Sequence, residues 1–216
     1  MHRGLSCGFC GSRNTEFFST QKDKKEYFKC LNCGYVFLNP DLRPLPDKEK
    51  NRYLLHNNSI DNFGYRKWLE SFIEFSLKTA GIKNGCRVLD FGSGPEPVLA
   101  KLLSAMGFNV STEDIFFAPG RRDGPFSLIT AVEVFEHLSE PGKVLKDLAS
   151  RLDKNGKICI STEFLPEKDF ESWYYRMDFT HIGFFPLAAF YKTAGNYGLK
   201  VLDTDRRHFI VLSNSK

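Results

Sequence analysis

Two hydrophobic rhythms alternate along the chain. Short apolar runs bounded by turn residues, RVLDF, FNVST, FSLIT and KICIST, read as strands. Between them, apolar positions recur three and four apart, which predicts helices from about Pro97 to Met106, over PGKVLKDLASRLDKNG and near PLAAFYKTAG. A further helix is predicted ahead of them in SIDNFGYRKWLESFIEFSLKTAG, where Phe63, Trp68, Phe72, Phe75 and Leu77 fall at roughly helical spacing and Gly81 supplies the stop. Two last apolar runs, LKVLDT and HFIVLS, read as a hairpin. Strands alternating with helices and closed by an antiparallel end predict an α/β fold with a doubly wound, mostly parallel sheet.

With 216 residues, 42% hydrophobic and 26% charged, the chain suits one medium domain and a small appendage. No apolar run reaches the roughly 18 residues of a membrane helix, and MHRGLSCGFC lacks the apolar stretch of a signal peptide, so a cytoplasmic protein is expected. Charge is uneven. Residues 1–60 hold 10 Lys and Arg against 6 Asp and Glu, whereas the remainder is balanced at 20 against 20. A strongly basic nucleic-acid footprint is therefore missing from the larger part. Oligomeric state is not legible.

The cysteines divide in the same way. Cys7 and Cys10, then Cys30 and Cys33, form two CxxC pairs with 19 residues between them, each pair followed by glycine in CGFCG and CLNCG. Facing turns of this kind make a tetrahedral thiolate site, and without an export signal a structural zinc is expected rather than disulfides. Cys86 and Cys159 lie beside or in predicted strands and read as apolar thiols. The expected organisation is a zinc ribbon over 1–40, a linker and leading helix over 41–80 that includes the Pro-rich NPDLRPLPDKEK, and the α/β domain over 81–216. A chelator is expected to loosen residues 1–40 and leave that domain folded.

VLDFGSGPEP runs from a buried-strand pattern into a glycine turn, the place where such folds hold a nucleotide-like ligand at a helix start. The dinucleotide fingerprint fails, because Glu96 and Pro97 stand where its third glycine would be. Asp114 lies 22 residues after Gly92, at the end of the second predicted strand, where a carboxylate can hold ribose hydroxyls. Between Asp114 and Phe126 only the 11 residues IFFAPGRRDGP remain. They reach at most about 36 to 40 Å when extended, too little for a strand and a crossover helix. The third strand is therefore predicted to be reduced or missing, with Ile115, Phe116 and Phe117 taking over part of an adenine pocket.

VLDFGSGPEP, the acidic pair Glu113 and Asp114, and FSLITAVEVFEHLSEPGKVLKDLASRLDKNGKICIST together resemble a class I S-adenosylmethionine-dependent methyltransferase over about residues 60–212. With the cysteine ribbon, the chain resembles bacterial methyltransferases that carry an N-terminal zinc module, including the sugar C-methyltransferases. The resemblance implies S-adenosylmethionine as cofactor. It places Asp90, Phe91, Gly92, Ser93 and Gly94 around the amino-acid end, Asp114 and Ile115 at the ribose and adenine, and Ala131, Val132 and Glu133 along the edge near the methyl group.

EVFEH also matches the ExxEH pattern of the ubiquinone-type O-methyltransferases, which implies a possible second divalent cation at Glu133, Glu136 and His137. In FESWYYRMDFTHIGFF, Trp173, Tyr174 and Tyr175 are expected as an acceptor wall, with His181 as catalytic base and Asp178 or Glu133 as its orienter. Tyr53, His56 and Asn57 are expected to reach toward the cofactor from the linker. The implied acceptor is a small molecule methylated on oxygen, carbon or nitrogen. Two alternatives stand beside it. One is ribosomal-RNA methylation, with Lys22, Lys24, Lys25, Lys29, Tyr27 and Phe28 gripping RNA. The other is a non-catalytic cofactor-binding module, to which Glu96 points.

Overall fold

The computed structural model describes residues 5–20, 24–55 and 57–215. In chain order the elements are β1 (Thr15–Thr20), β2 (Glu26–Cys30), β3 (Val36–Leu38), α1 (Pro46–Leu54), α2 (Phe63–Ala80), β4 (Arg87–Phe91), α3 (Val98–Ala105), β5 (Asn109–Glu113), β6 (Phe126–Val132), α4 (Pro141–Ser150), β7 (Leu152–Ser161), β8 (Gly183–Phe184), α5 (Leu187–Thr193), β9 (Leu199–Thr204) and β10 (Phe209–Asn214). Six strands form the main sheet in the order β5-β4-β6-β7-β10-β9. β4 pairs in parallel with β5 and β6, and β6 with β7, while β10 runs antiparallel to both β7 and β9. This is the expected mostly parallel sheet with an antiparallel C-terminal hairpin.

The third strand is missing as expected. β5 is an edge strand of the main sheet, and residues 114–125 contribute only an isolated bridge between Asp114 and Ala118. Ion pairs take over part of the covering role. Arg151, 3% exposed at the end of α4, sends Nη1 to Glu113 Oε2 at 2.7 Å and also contacts Asp147, and the Arg122 amide donates to the same Glu113 oxygen at 2.7 Å. The short loop is thus tied back along β5 without a helix of its own.

α2 covers one face of the sheet through Leu69, Phe72, Ile73, Ser76 and Ala80. Asn62 caps its first turn by accepting from the Tyr65 amide, and Gly81 at φ 62° ends it. Phe63, expected on the apolar face, lies outside it and is 67% exposed. Two other expectations need correction. The linker contains α1, a helix with no buried residue that starts at a proline in its first turn. The helix expected through Gly156 ends at Ser150, because Leu152 onward joins β7 and pairs beside β6 from its first residue. Cys159 is fully buried and Cys86 packs against the same core, as their apolar reading predicted.

The N-terminal ribbon is not a separate appendage. β1, β2 and β3 continue into β8, so the ribbon sheet takes its fourth strand from residues 183–184 of the larger part. The two parts also share a core: Phe9 packs edge-on against Phe185 and Phe190, in the same cluster as Leu89, Phe126 and Ile160. Backbone bonds stitch the contact, with the Gly142 amide donating to Gly8 at 3.0 Å and the Tyr197 hydroxyl to the Phe9 carbonyl. Among the described residues, no helix is long and apolar enough to cross a membrane.

Candidate active site and metal centres

The four ribbon cysteines converge. Cys7 and Cys33 Sγ stand 3.7 Å apart, Cys10 and Cys30 Sγ 3.5 Å apart, and all four lie within 4.8 Å of one another, a set that could hold a metal ion. Each CxxC turn closes by the amide of the following glycine, Gly11 onto the Cys7 carbonyl and Gly34 onto that of Cys30. Both glycines have φ near +80°, at 77° and 87°, which explains their place after each pair.

The larger site is a cleft of about 1190 Å³ at the carboxyl ends of the strands. One end is built from β4, its glycine turn and the end of β5. Phe91, Gly92, Ser93 and Gly94 line it, with Asp114 and Ile115 opposite. Gly92 has φ 75°, and a Cβ there would stand 2.3 Å from a Val134 methyl, so neither the backbone nor the space admits a side chain. The Asp114 carboxylate accepts from the amides of Gly94 at 2.9 Å, Phe116 at 2.8 Å and Phe117 at 3.1 Å. It therefore faces the glycine turn, whereas its neighbour Glu113 is turned into the pairing with Arg151. Phe116 lines the cleft as well and packs against Tyr53 of α1 at 5.9 Å.

Two residues expected at this end stand behind its wall. Asp90 is 3% exposed with its carboxylate accepting from the Thr130 hydroxyl at 3.2 Å, and burial pushes its pKa up to about 7. Ala131 is wholly buried. Val132 and Glu133, the next residues, do line the cleft.

At the other end, segments far apart in sequence meet. Glu133 sits at φ 52°, an uncommon conformation for a non-glycine residue and one often found at functional sites. Its carboxylate accepts from Ser161 Oγ at 3.0 Å and from the Tyr175 hydroxyl at 3.0 Å, while burial pushes its pKa up to about 7. Glu136, in a short 3-10 turn over Phe135–His137, is fully buried, and neither oxygen has a hydrogen-bond partner. Burial, then the charge of Glu133, holds its pKa well above the usual carboxylate range.

His137 and His181 complete this end. Both line the cleft, with ring centroids 4.7 Å apart. His137 Nδ1 lies 2.9 Å from the Thr180 carbonyl and His181 Nδ1 2.6 Å from the Tyr175 carbonyl. The His181 ring, expected to be steadied by a carboxylate, is thus fixed through Nδ1 by a backbone oxygen. Asp178 pairs with Arg52 of α1 at 2.7 Å and accepts from Thr180 Oγ1 at 2.6 Å. Glu133, Glu136 and His137 are not the trio that converges. Glu136, His137 and His181 bring one ligand atom each within 4.8 Å, and the Glu133 carboxylate is occupied by Ser161 and Tyr175.

The expected aromatic wall is partly present. Tyr174 and Tyr175 line the cleft, and Trp173 packs behind Tyr175 with its indole N–H on Glu163 at 3.3 Å. Tyr53 lines the cleft from α1, Asn57 is exposed, and His56 falls outside the described residues. The sequence reading missed Glu49 and Arg52, which α1 presents to the same space. Their signal was Leu-Pro-Asp ahead of them, a helix start hidden in what looked like a linker. The proposed RNA grip loses its rings, since Tyr27 and Phe28 are buried at 0% and 2% exposure and cannot stack on bases. Lys22 lies outside the described residues.

A family profile described as a methyltransferase domain matches residues 56–204. No match was found among curated proteins. A complex between the Haloferax volcanii Trm112 methyltransferase activator and the putative methyltransferase contains a chain similar to this one at 12% identity, with 79% of this chain and 99% of that chain covered and a TM-score of 0.55. The mitomycin 7-O-methyltransferase MmcR is similar at 11% identity over 77% of this chain and 66% of its own, with a TM-score of 0.50. At these identities the likeness is one of fold. The chain spans 54% of the length of CalO1, a methyltransferase in calicheamicin biosynthesis, at 15% identity over 66% of this chain and a TM-score of 0.48.

Proposed function

The chain belongs to the methyltransferase domain family, and on that premise we propose that it transfers a methyl group from S-adenosylmethionine to a small-molecule acceptor. The observation that carries this reading is the continuity of the cleft. A glycine turn with an acid facing it opens, past Val132 and Glu133, into a second half lined by His137, His181 and Tyr175. A cavity of about 1190 Å³ exceeds the range common for a single small ligand.

In this reading Gly92, Ser93 and Gly94 hold the amino-acid end of the cofactor, Asp114 the ribose, and Ile115 and Phe116 one side of the adenine. Asp90 supports the turn from behind. The cofactor supplies a methyl group on a positively charged sulfur, whose C–S electron pair stays with sulfur as the bond to the acceptor forms. The chain's own task is alignment, with Tyr174 and Tyr175 flanking the acceptor. An acceptor oxygen, nitrogen or carbon acid that carries a proton must also lose it, and His181 and Glu133, which both line the cleft, are the groups assigned to take it. Asp178, tied to Arg52, joins α1 to the segment that carries Tyr175 and His181. The ribbon cysteines hold one zinc, which fits their all-sulfur donor set and spacing.

Calorimetric titration with S-adenosylhomocysteine tests the cofactor half. Native protein binds it, and Asp114→Ala weakens binding by about 1.5 to 3 kcal/mol, the worth of hydrogen bonds to a charged group. Unchanged affinity in that variant would take Asp114 off the ribose, and no binding by native protein would remove the cofactor assignment.

A further inference from the structure

We infer that Glu136, His137 and His181 form a binding site for one divalent transition-metal cation whose open coordination positions face the acceptor half of the cleft. The inference rests on the proposed function only for what the cleft beyond those positions accommodates.

Glu136 is the starting point. Its side chain is fully buried and neither carboxylate oxygen has a hydrogen-bond partner. The nearby hydroxyls are spent elsewhere, since Tyr175 donates its single proton to Glu133 Oε2 and Thr162 Oγ1 faces the Tyr175 oxygen at 3.3 Å. An ionised carboxylate left in this state would cost several kcal/mol, and a cation beside it offsets that cost.

The two imidazoles supply the rest of the donor set. Each Nδ1 lies against a backbone carbonyl, of Thr180 for His137 and of Tyr175 for His181, so each Nδ1 carries the proton and donates it. The lone pair is then on Nε2, as in metal-ligating histidines whose other nitrogen is held by a backbone oxygen. His137 Nε2 stands 3.9 Å from Glu136 Oε1. That is too long for a hydrogen bond, and it suits two ligands that each approach one ion to about 2.0 to 2.2 Å. A ligand atom from each of the three residues lies within 4.8 Å of the other two.

Backbone hydrogen bonds tie the cluster to the ribbon. The Ile182 amide donates to the Glu136 carbonyl at 2.8 Å, and the Leu38 amide at the end of β3 donates to the Ile182 carbonyl at 2.9 Å. Residue 181 is thereby held against residues 136 and 137 by a strand of the ribbon. Both histidines line the cleft, which gives the ion a way in and leaves its remaining positions open, the arrangement of catalytic rather than structural sites. Two nitrogens and one carboxylate oxygen select Zn, Co, Fe or Mn over Mg or Ca. An acceptor oxygen bound there would have its proton acidified by the ion, with His181 serving as ligand and Glu133 left to take the proton.

The test uses the full chain with its ribbon zinc in place, titrated with Co²⁺ and followed by visible d–d absorption. One Co²⁺ per chain is expected, without the sulfur-to-cobalt charge-transfer bands that would report entry into the cysteine cluster. Glu136→Gln and His181→Ala should each weaken Co²⁺ binding at least ~10-fold, while Glu163→Gln, on the cleft wall outside the trio, retains it. Thermal melts guard against misfolding: without added metal Glu136→Gln should melt no lower than native protein, and Co²⁺ should raise the melting temperature of native protein alone. No Co²⁺ uptake by native protein, equal uptake by Glu136→Gln and His181→Ala, or equal loss in Glu163→Gln would overturn the site. S-adenosylhomocysteine binding, measured separately, shows whether the methyltransferase reading stands or falls apart from it.

Discussion

The two ends of the cleft are built on opposite principles. At the proposed cofactor end, residues 91–94 are consecutive, the acid that faces them is anchored by three backbone amides, and the charged neighbour Glu113 is neutralised by Arg151. At the proposed acceptor end, residues 53, 133, 137, 175 and 181 come from three separate stretches of the chain, and the fully buried Glu136 carboxylate, without a hydrogen-bond partner, stands beside the partly buried Glu133. The acids Glu113 and Asp114 at the first end are paired, although the buried Ser93 hydroxyl has no partner, whereas the second end is held under electrostatic load. A shared cofactor demands one fixed shape, which local geometry can give. In the proposed function, an acceptor that must lose a proton calls for groups whose charge states are close in energy, and burial beside like charge provides that.

The ends also differ in what supports them. The proposed cofactor end stands on β4 and β5 of the six-stranded sheet, whereas His181 lies two residues before β8, the strand that completes the ribbon sheet. Removing the proposed ribbon zinc is therefore expected to have the largest effect. In small metal domains the ion supplies on the order of 10 kcal/mol of folding free energy, as much as a whole domain's net stability. Because Cys7, Cys30 and Cys33 belong to one core with Leu89 and Phe126, loss of the ion should not stay within residues 1–40 as the sequence alone suggested. Hydrogen exchange after chelation should rise in β2, β3 and residues 181–184 together, and earlier than in residues 88–94. Continued protection of 181–184 would break the coupling between ribbon and acceptor end.

A second contrast concerns pH. Asp90 has a pKa pushed up to about 7 by burial, above its value in an unfolded chain near 4. The folded state therefore favours the protonated acid. Its full contribution is present below about pH 4 and is lost as pH rises through about 7, beyond which it stays lost. The loss is about 4 kcal/mol at most. Asp90→Asn should flatten the pH dependence of the melting temperature between pH 4 and 7 and raise stability at pH 8 relative to native protein. An unchanged profile would mean that Asp90 is ionised in the folded protein.

The smallest expected effect tests the wall that α2 contributes. Tyr65 and Trp68 reach the cleft from the first turns of this helix, which Asn62 caps. Asn62→Ala should cost about 1 kcal/mol, a fall of roughly 2 to 4 °C in melting temperature for a protein of this size. S-adenosylhomocysteine affinity should fall with it, because the frayed turn carries those two rings. A drop in melting temperature with unchanged affinity would confine the cap's role to stability.

The sequence by itself determined whatever depends on neighbours along the chain. The order of the main-sheet strands and their helices, the glycine turn at 92–94 and both CxxC turns are set by local spacing and by backbone conformations that few residues tolerate. The missing third strand follows equally from local facts, since 11 residues cannot hold it. The tertiary structure alone decided which long-range partners each polar group obtained. Glu133 and Glu136 are three apart and match one motif, yet one turns to Ser161 and Tyr175 while the other is left facing His137 and His181. Joining the ribbon to residues 183–184 was equally invisible, because a two-residue strand has no periodicity and exists only where β3 offers it an edge. Backbone preferences act over a few residues, whereas the burial that shifts a carboxylate or aligns two imidazoles is a property of the packed whole.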